Sequence, residues 1–162
     1  MIIQVEAVGI KMNKKICILT ILGILIDQFS KAIALRLLDY YASVKIIDDF
    51  FYLTLVKNKG ASFGILTGNI LLLIIVSFIA LFFILGYINK KKNMKKIESV
   101  SYSLVLGGLF GNLIDRIFRQ EVIDFLDFKI FGYDYPIFNI ADIFIVCGIF
   151  IIIFLEFRGE KE

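Results

Sequence analysis

Apolar positions along this chain gather into four runs, separated by stretches in which polar residues break the pattern. The runs cover roughly residues 16–38, 70–88, 97–118 and 137–157, each close to the ~20 apolar residues that a helix needs to cross a bilayer. The second carries no charge between Ile70 and Ile88, the mark of an anchoring and packing helix. Two polar intervals have a different texture. "SVKIIDDFFYLTLVKNKGASFGIL" and "RQEVIDFLDFKIFGYDYP" are rich in β-branched and aromatic residues, and the first holds Asn58, Gly60 and Gly64 as turn positions. Both read as strands, at about residues 43–66 and 120–134, that together form a small sheet over the bundle mouth. The predicted fold class is an all-α transmembrane four-helix bundle with a small β-rich cradle outside, in a single domain spanning 1–162.

Sidedness follows from the basic residues. Lys11, Lys14 and Lys15, then Lys90, Lys91, Lys92, Lys95 and Lys96, then Arg158 and Lys161 fall at one set of helix ends, which the positive-inside rule assigns to the cytoplasm. Both termini are therefore expected inside. The stretch "KMNKKICILTILGILI" mimics a signal peptide, but no small-residue cleavage site follows before Asp27, so an uncleaved first helix is expected. Residues 1–11, ahead of Met12, are assigned no role.

Composition removes whole classes of chemistry. A chain of 162 residues that is 59% hydrophobic is too apolar for an ordinary soluble domain. Its net charge of +3, without a basic face interleaved with aromatics, gives nucleic acid no support as a partner. Histidine is absent, which excludes Ser-His and Cys-His catalytic pairs and His-ligated metal sites. Hydrolysis, if present, rests on Asp, Lys, Ser or Cys. Cys17 and Cys147 both lie in apolar runs without CxxC spacing and read as packing residues. Neither a metal nor a cofactor is expected.

Some polar residues sit inside the apolar runs, where a charge is costly and usually functional. Depth can be counted from each run's outer end. If the fourth helix starts near Ile137, Asp142 lies about 8 Å in, with Asn139 a turn above it on the same face. On the third, Asn112 lies about 9 Å down and Asp115 and Arg116 about 3 to 5 Å. On the first, Lys31 lies about 10 Å below the surface and Asp27 about 16 Å. Three helices thus direct polar groups into one outer leaflet.

Plain explanations exist for several of these residues. Asp27 and Lys31, at i,i+4, read equally as a neutralising ion pair or as support for a site. Gly107, Gly108 and Gly111 read as close-packing positions. Arg116 and Arg119 sit near a helix end where long cations snorkel to the interface, and Asp115 adjoins Arg116 as a partner. Asp142 differs, having no Lys or Arg within four residues on its own helix, so its partner must come from elsewhere. A second carboxylate would make a pair sharing one proton, one member activating water and the other donating to a carbonyl oxygen. Spacing leaves Asp115, Asp124, Asp127 and Asp134 as candidates.

Four ordered motifs bear on that choice: "DQFSK" in the first helix, "NKGASFGI" at 58–65, "GGLFGNLIDR" at 107–116 followed by "VIDFLDF" at 122–128, and "FNIADIFI" at 138–145. With them the chain resembles lipoprotein signal peptidase, or signal peptidase II, an aspartyl protease family of bacterial inner membranes. The resemblance implies Asp124 and Asp142 as the catalytic dyad. It implies Asn58, Asn112, Arg116 and Asn139 as residues orienting substrate and dyad, Asp27 and Lys31 as supporting positions, and Gly60 in the family's glycine-containing turn. The substrates it implies are prolipoproteins already carrying a diacylglyceryl group, cut just before the lipidated cysteine. The partners it implies are such substrates, membrane lipids and globomycin-type inhibitors, for a protein expected to act as a monomer. A small proton or ion conductor and a membrane scaffold are the competing readings of the same polar cluster.

Overall fold

The computed structural model describes residues 2–5, 10–60, 68–91 and 93–159. Gly64 and the rest of 61–66, together with Lys92 and Lys161, lie outside the described residues. Ten elements follow in order: β1 (Ile2–Val5), β2 (Ile10–Asn13), α1 (Lys14–Leu37), β3 (Ser43–Ile47), β4 (Phe51–Asn58), α2 (Ile70–Lys90), α3 (Lys96–Phe118), β5 (Val122–Ile130), β6 (Tyr133–Asp134) and α4 (Ile140–Phe157). All four helices are long and apolar enough to cross a membrane. Helix dominates, and a four-stranded antiparallel sheet accompanies the bundle.

The helices keep their backbone polar groups bonded internally, as a hydrocarbon surround requires. Their large apolar side chains point outward: Phe29, Leu71, Phe82, Phe83, Val146 and Phe150 are all exposed. What is buried is narrower and more polar. Along α2 the buried positions are Leu73, Ser77, Leu81 and Ile88, a single stripe at helical spacing. α3 is the central helix and packs against each of the others. It can do so because its facing surface is small. A Cβ added at Gly108 would collide with the backbone carbonyl of Ala141 in α4, and one added at Gly111 would collide with the Asp27 carboxylate of α1. These glycines are close-packing positions, as expected. At the opposite end the short α2–α3 link is fixed by Glu98, which pairs with Lys91 at 2.5 Å and accepts the backbone N–H of Lys95 at 2.9 Å.

The sheet has the order β3-β4-β5-β6. Phe51 pairs with Phe128 at one end of the β4–β5 ladder and Asn58 with Val122 at the other. β5 starts almost directly after α3, through Gln120 in the left-handed region (φ 61°), whose side chain closes the helix by donating to the carbonyls of Arg116 and Ile117. Both predicted strand segments therefore join one sheet. Residues 1–11, given no role from sequence, contain β1 and part of β2, which pair antiparallel ahead of α1.

The fourth helix starts later than the apolar run suggests. Ile137 and Phe138 look helical by composition, but Phe138 N–H donates to the Leu126 carbonyl and its own carbonyl accepts the N–H groups of Phe125 and Leu126. Extended pairing with β5 holds the chain out of the helix until Asn139. Asp142 is consequently in the first turn of α4, about 4 to 5 Å along the axis from the cap instead of 8 Å in.

Candidate active site

Asn139 caps α4. Its side-chain oxygen accepts the Asp142 N–H at 3.0 Å while its own backbone N–H donates to Asp142 Oδ2 at 3.1 Å, a reciprocal capping box. This gives Asp142 a purely local reason to be acidic, since a carboxylate in the first turn satisfies orphan N–H groups and suits the helix dipole. The sequence signal for it is the Asn-x-x-Asp spacing, which the early placement of the helix start concealed. The remaining amide of Asn139 reaches out of the cap. Its Nδ2 donates to Asp124 Oδ1 at 2.6 Å and to Asn112 Oδ1 at 3.1 Å.

Asn112, from α3, completes a loop of contacts by donating from Nδ2 to Asp142 Oδ1 at 2.8 Å. Asn58, at the end of β4, donates from Nδ2 to Asp124 Oδ2 at 2.9 Å, and its own oxygen accepts the Gly60 N–H at 2.8 Å. Asp124, Asp142, Asn58, Gly60, Asn112 and Asn139 are thus brought together from four elements. Asp124 is only 2% exposed. Burial above all, and then the neighbouring Asp142 charge, pushes its carboxyl up to about 7, against the hydrogen bonds from Asn58 and Asn139 and the more distant Lys31.

The other three acids left open by spacing are engaged elsewhere. Thr54 donates to Asp127 at 2.6 Å, tying β5 to β4. Asp134 is exposed and pairs loosely with Lys129 at 3.4 Å. Asp115 is fully buried and lies 2.9 Å from Lys31 Nζ.

Beneath the two acids lies an ionic layer. Lys31 Nζ contacts Asp27 Oδ2, Asp115 Oδ2 and Asn112 Oδ1, each at 2.9 Å, and all three residues binding it are buried. Asp27 Oδ1 accepts the Ala141 N–H of α4 at 3.0 Å. The Asp27–Lys31 pair is therefore an ion pair and a brace between α1, α3 and α4 at once. Arg119, expected to snorkel, instead turns inward to Asp115 and to Gln28 Oε1, the latter at 3.0 Å. Asp115 takes Lys31, Gln28 and Arg119 in place of the adjacent Arg116. Gln28, the second residue of the DQFSK motif, is given no role of its own by the sequence although it is a lone amide inside an apolar run; its Nε2 lies 3.1 Å from Asp27, Asp115 and the Gly111 carbonyl. Arg116 is half-buried within electrostatic reach of Asp142, Asp124 and Asp115, and its Nε finds no hydrogen-bond partner among the described residues.

An apolar hollow of about 290 Å³ opens beside Asp142, which lies in its wall with Pro136, Phe138, Ile143 and Val146. Among the described residues no cluster of three or more Cys, Asp or Glu side chains is arranged to hold a metal ion.

The family model for signal peptidase (SPase) II, Peptidase_A8, matches residues 19–158, which takes in most of α1, the other three helices and the four-stranded sheet. The chain belongs to the signal peptidase II family. Two solved structures described as bacterial membrane enzymes determined by the in meso method are similar to it. One, at 2.3 Å resolution, shares 34% identity with a TM-score of 0.82, covering 91% of this chain and 93% of that one. The other, at 1.9 Å resolution, shares 33% identity with a TM-score of 0.79, covering 90% and 94%. Membership in the signal peptidase II family makes this a peptidase with lipoprotein substrates, and with four candidate spans it is a bacterial inner-membrane protein.

Proposed function

We propose that the chain is an aspartyl endopeptidase that removes the signal peptide from diacylglyceryl-modified prolipoproteins, cutting just before the lipidated cysteine, with Asp124 and Asp142 as its catalytic pair. The observation that carries this is the bridge between the two acids: one residue, Asn139, donates from its side-chain amide to Asp124 and from its backbone N–H to Asp142. Two carboxylates so linked, one of them held near neutrality with its proton, are equipped to share a proton across an attacking water.

The environments divide the labour. Asp142, at the N-terminus of α4 with N–H donors from Asn112 and Asn139 holding its two oxygens, is the member that takes the proton from water. Asp124, with its carboxyl raised to about 7, donates to the carbonyl oxygen of the scissile peptide. As the tetrahedral intermediate collapses, the proton held on Asp142 passes to the leaving amine of the lipidated cysteine, and Asp124 takes back a proton from the diol as the new carboxyl group forms. Asn58 and Asn139 keep Asp124 oriented, Asn112 orients Asp142, and Arg116, with its unpartnered Nε, is placed to steady the substrate backbone. The hollow beside Asp142 offers apolar walls to the lipid or to apolar side chains next to the cut.

Under this reading both termini face the cytoplasm, the sheet lies outside as a cradle, and the acids sit near the outer leaflet, level with a lipid-anchored peptide bond. The conductor reading needs a polar path through the inner half. There Ser101 and Ser103 of α3 donate to carbonyls of their own helix, and the corresponding part of α4 is apolar. The test is cleavage by the purified protein of one precursor with and without the diacylglyceryl group, products read by mass spectrometry. Release of a fragment starting at the lipidated cysteine is expected; cleavage elsewhere, or equal turnover of the unmodified precursor, contradicts the assignment.

A further inference from the structure

Among the described residues, the carboxylate that receives the most donors is outside the proposed catalytic pair. Asp115 is fully buried in α3 and receives four donors. Its Oδ2 pairs with Lys31 Nζ at 2.9 Å and accepts the backbone N–H of Ile123 at 3.2 Å. Its Oδ1 accepts from Gln28 Nε2 at 3.1 Å and from the Arg119 guanidinium. Four donors on one carboxylate are far more than charge neutralisation of Lys31 requires, since Asp27 already pairs with that ammonium. The directions in which those contacts lead are informative.

One leads to Asp142. An ammonium has three hydrogens, and Lys31 spends them on Asp27, Asp115 and Asn112. With Lys31 and Asn139 Nδ2 both on its oxygen, Asn112 has a single amide orientation available, in which Nδ2 faces Asp142. The other leads to Asp124. Ile123, whose N–H rests on Asp115, is the residue immediately before it, and its side chain is buried. Resting on the reading above, we infer that Asp115 is a positioning residue for both acids, acting on Asp142 through Lys31 and Asn112 and on Asp124 through the backbone of Ile123. One carboxylate thereby helps set the separation of a helix-borne and a strand-borne acid, alongside the direct bridge that Asn139 makes between them.

A merely structural carboxylate would matter for folding yet leave the acids' titration alone, so the decisive readout is the pH–rate profile. The charged groups surrounding the pair are Asp27 and Lys31 on α1, Asp115, Arg116 and Arg119 on α3, and, at the strand edge, Lys57 paired with Glu121 at 3.0 Å. Asp115→Asn removes a negative charge and two of the acceptor directions. Cleavage of a lipidated precursor by this variant should show kcat reduced by about tenfold to a hundredfold with KM within about threefold. Its alkaline limb should move to lower pH by about half a unit to one unit, because the shared proton is more easily lost once a neighbouring anion is gone.

Arg119→Gln supplies the opposite sign. It removes a cation from the same carboxylate at the partly exposed edge of the cluster, and its alkaline limb should move to higher pH. If Asp115→Asn does not fold, the direction of the Arg119→Gln shift decides. Limbs that coincide with the parent's in the variants that fold, or kcat within threefold of the parent for Asp115→Asn, overturn the inference while leaving the peptidase reading intact. A parent protein that fails to cleave the lipidated precursor overturns both.

Discussion

At the scale of single residues the account turns on amides as much as on acids. Asn139 does four things at once: it caps α4, orients Asp142, holds Asp124 and helps fix Asn112. Asn139→Ala should cost about 1 to 2 kcal/mol of stability from the lost cap, measured by thermal unfolding in detergent, and should reduce turnover far more than that loss explains. Asp124 gives a pH signature. Its carboxyl is raised from an ordinary value of 3.8 to about 7, so between those values the folded protein holds more of its proton than the unfolded chain does. Stability from this group is therefore fully present below about pH 4 and lost as pH rises toward 7. Melting temperatures of the parent and of Asp124→Asn should converge on the acid side, and the difference should shift in favour of the variant across that window. A constant difference from pH 4 to 8 would contradict the buried, proton-holding environment. Much of this was invisible in sequence. The residue types were present, but Asn112 meeting Lys31 and Asn139 is a contact among three helices that no local spacing encodes.

At the scale of elements, length and apolarity made the four helices readable, while their ends depended on contacts between elements. α4 begins at Ile140 because the backbone of Phe138 is committed to β5, a long-range pairing that overrides the apolar look of Ile137 and Phe138. The two strand segments were legible from β-branched and aromatic content, and their union into one sheet depends on Phe51 pairing with Phe128 across the chain. The glycines of α3 were read correctly because small residues have few other uses in a membrane helix. Gly111→Ala makes that reading quantitative. Its methyl would strike the Asp27 carboxylate and disturb the Lys31 brace, so unfolding should be about 1 to 3 kcal/mol easier, with activity reduced in step. Gly86→Ala serves as the comparison, because nothing lies within 4 Å of a Cβ at that position. An equal effect at both sites would show that helix packing around Gly111 is looser than described.

At the scale of the whole molecule, a lipid-facing bundle carries a polar layer near one end, and the sheet attaches directly to that layer through β5. The arrangement explains how a chain without histidine can belong to a peptidase family: among the described residues charge is buried where α1, α3, α4 and the sheet meet, and each buried charged group is hydrogen-bonded by a neighbouring element. The central claim is that Asp124 and Asp142 act jointly on one water. Its most direct measurement is the rate of signal-peptide release from a lipidated precursor by purified Asp124→Asn and Asp142→Asn proteins, each checked for parent-like unfolding. Both variants are expected to be folded and to lose at least about three orders of magnitude in turnover, as loss of an essential member of a catalytic unit entails; parent-like cleavage by either folded variant would contradict the claim.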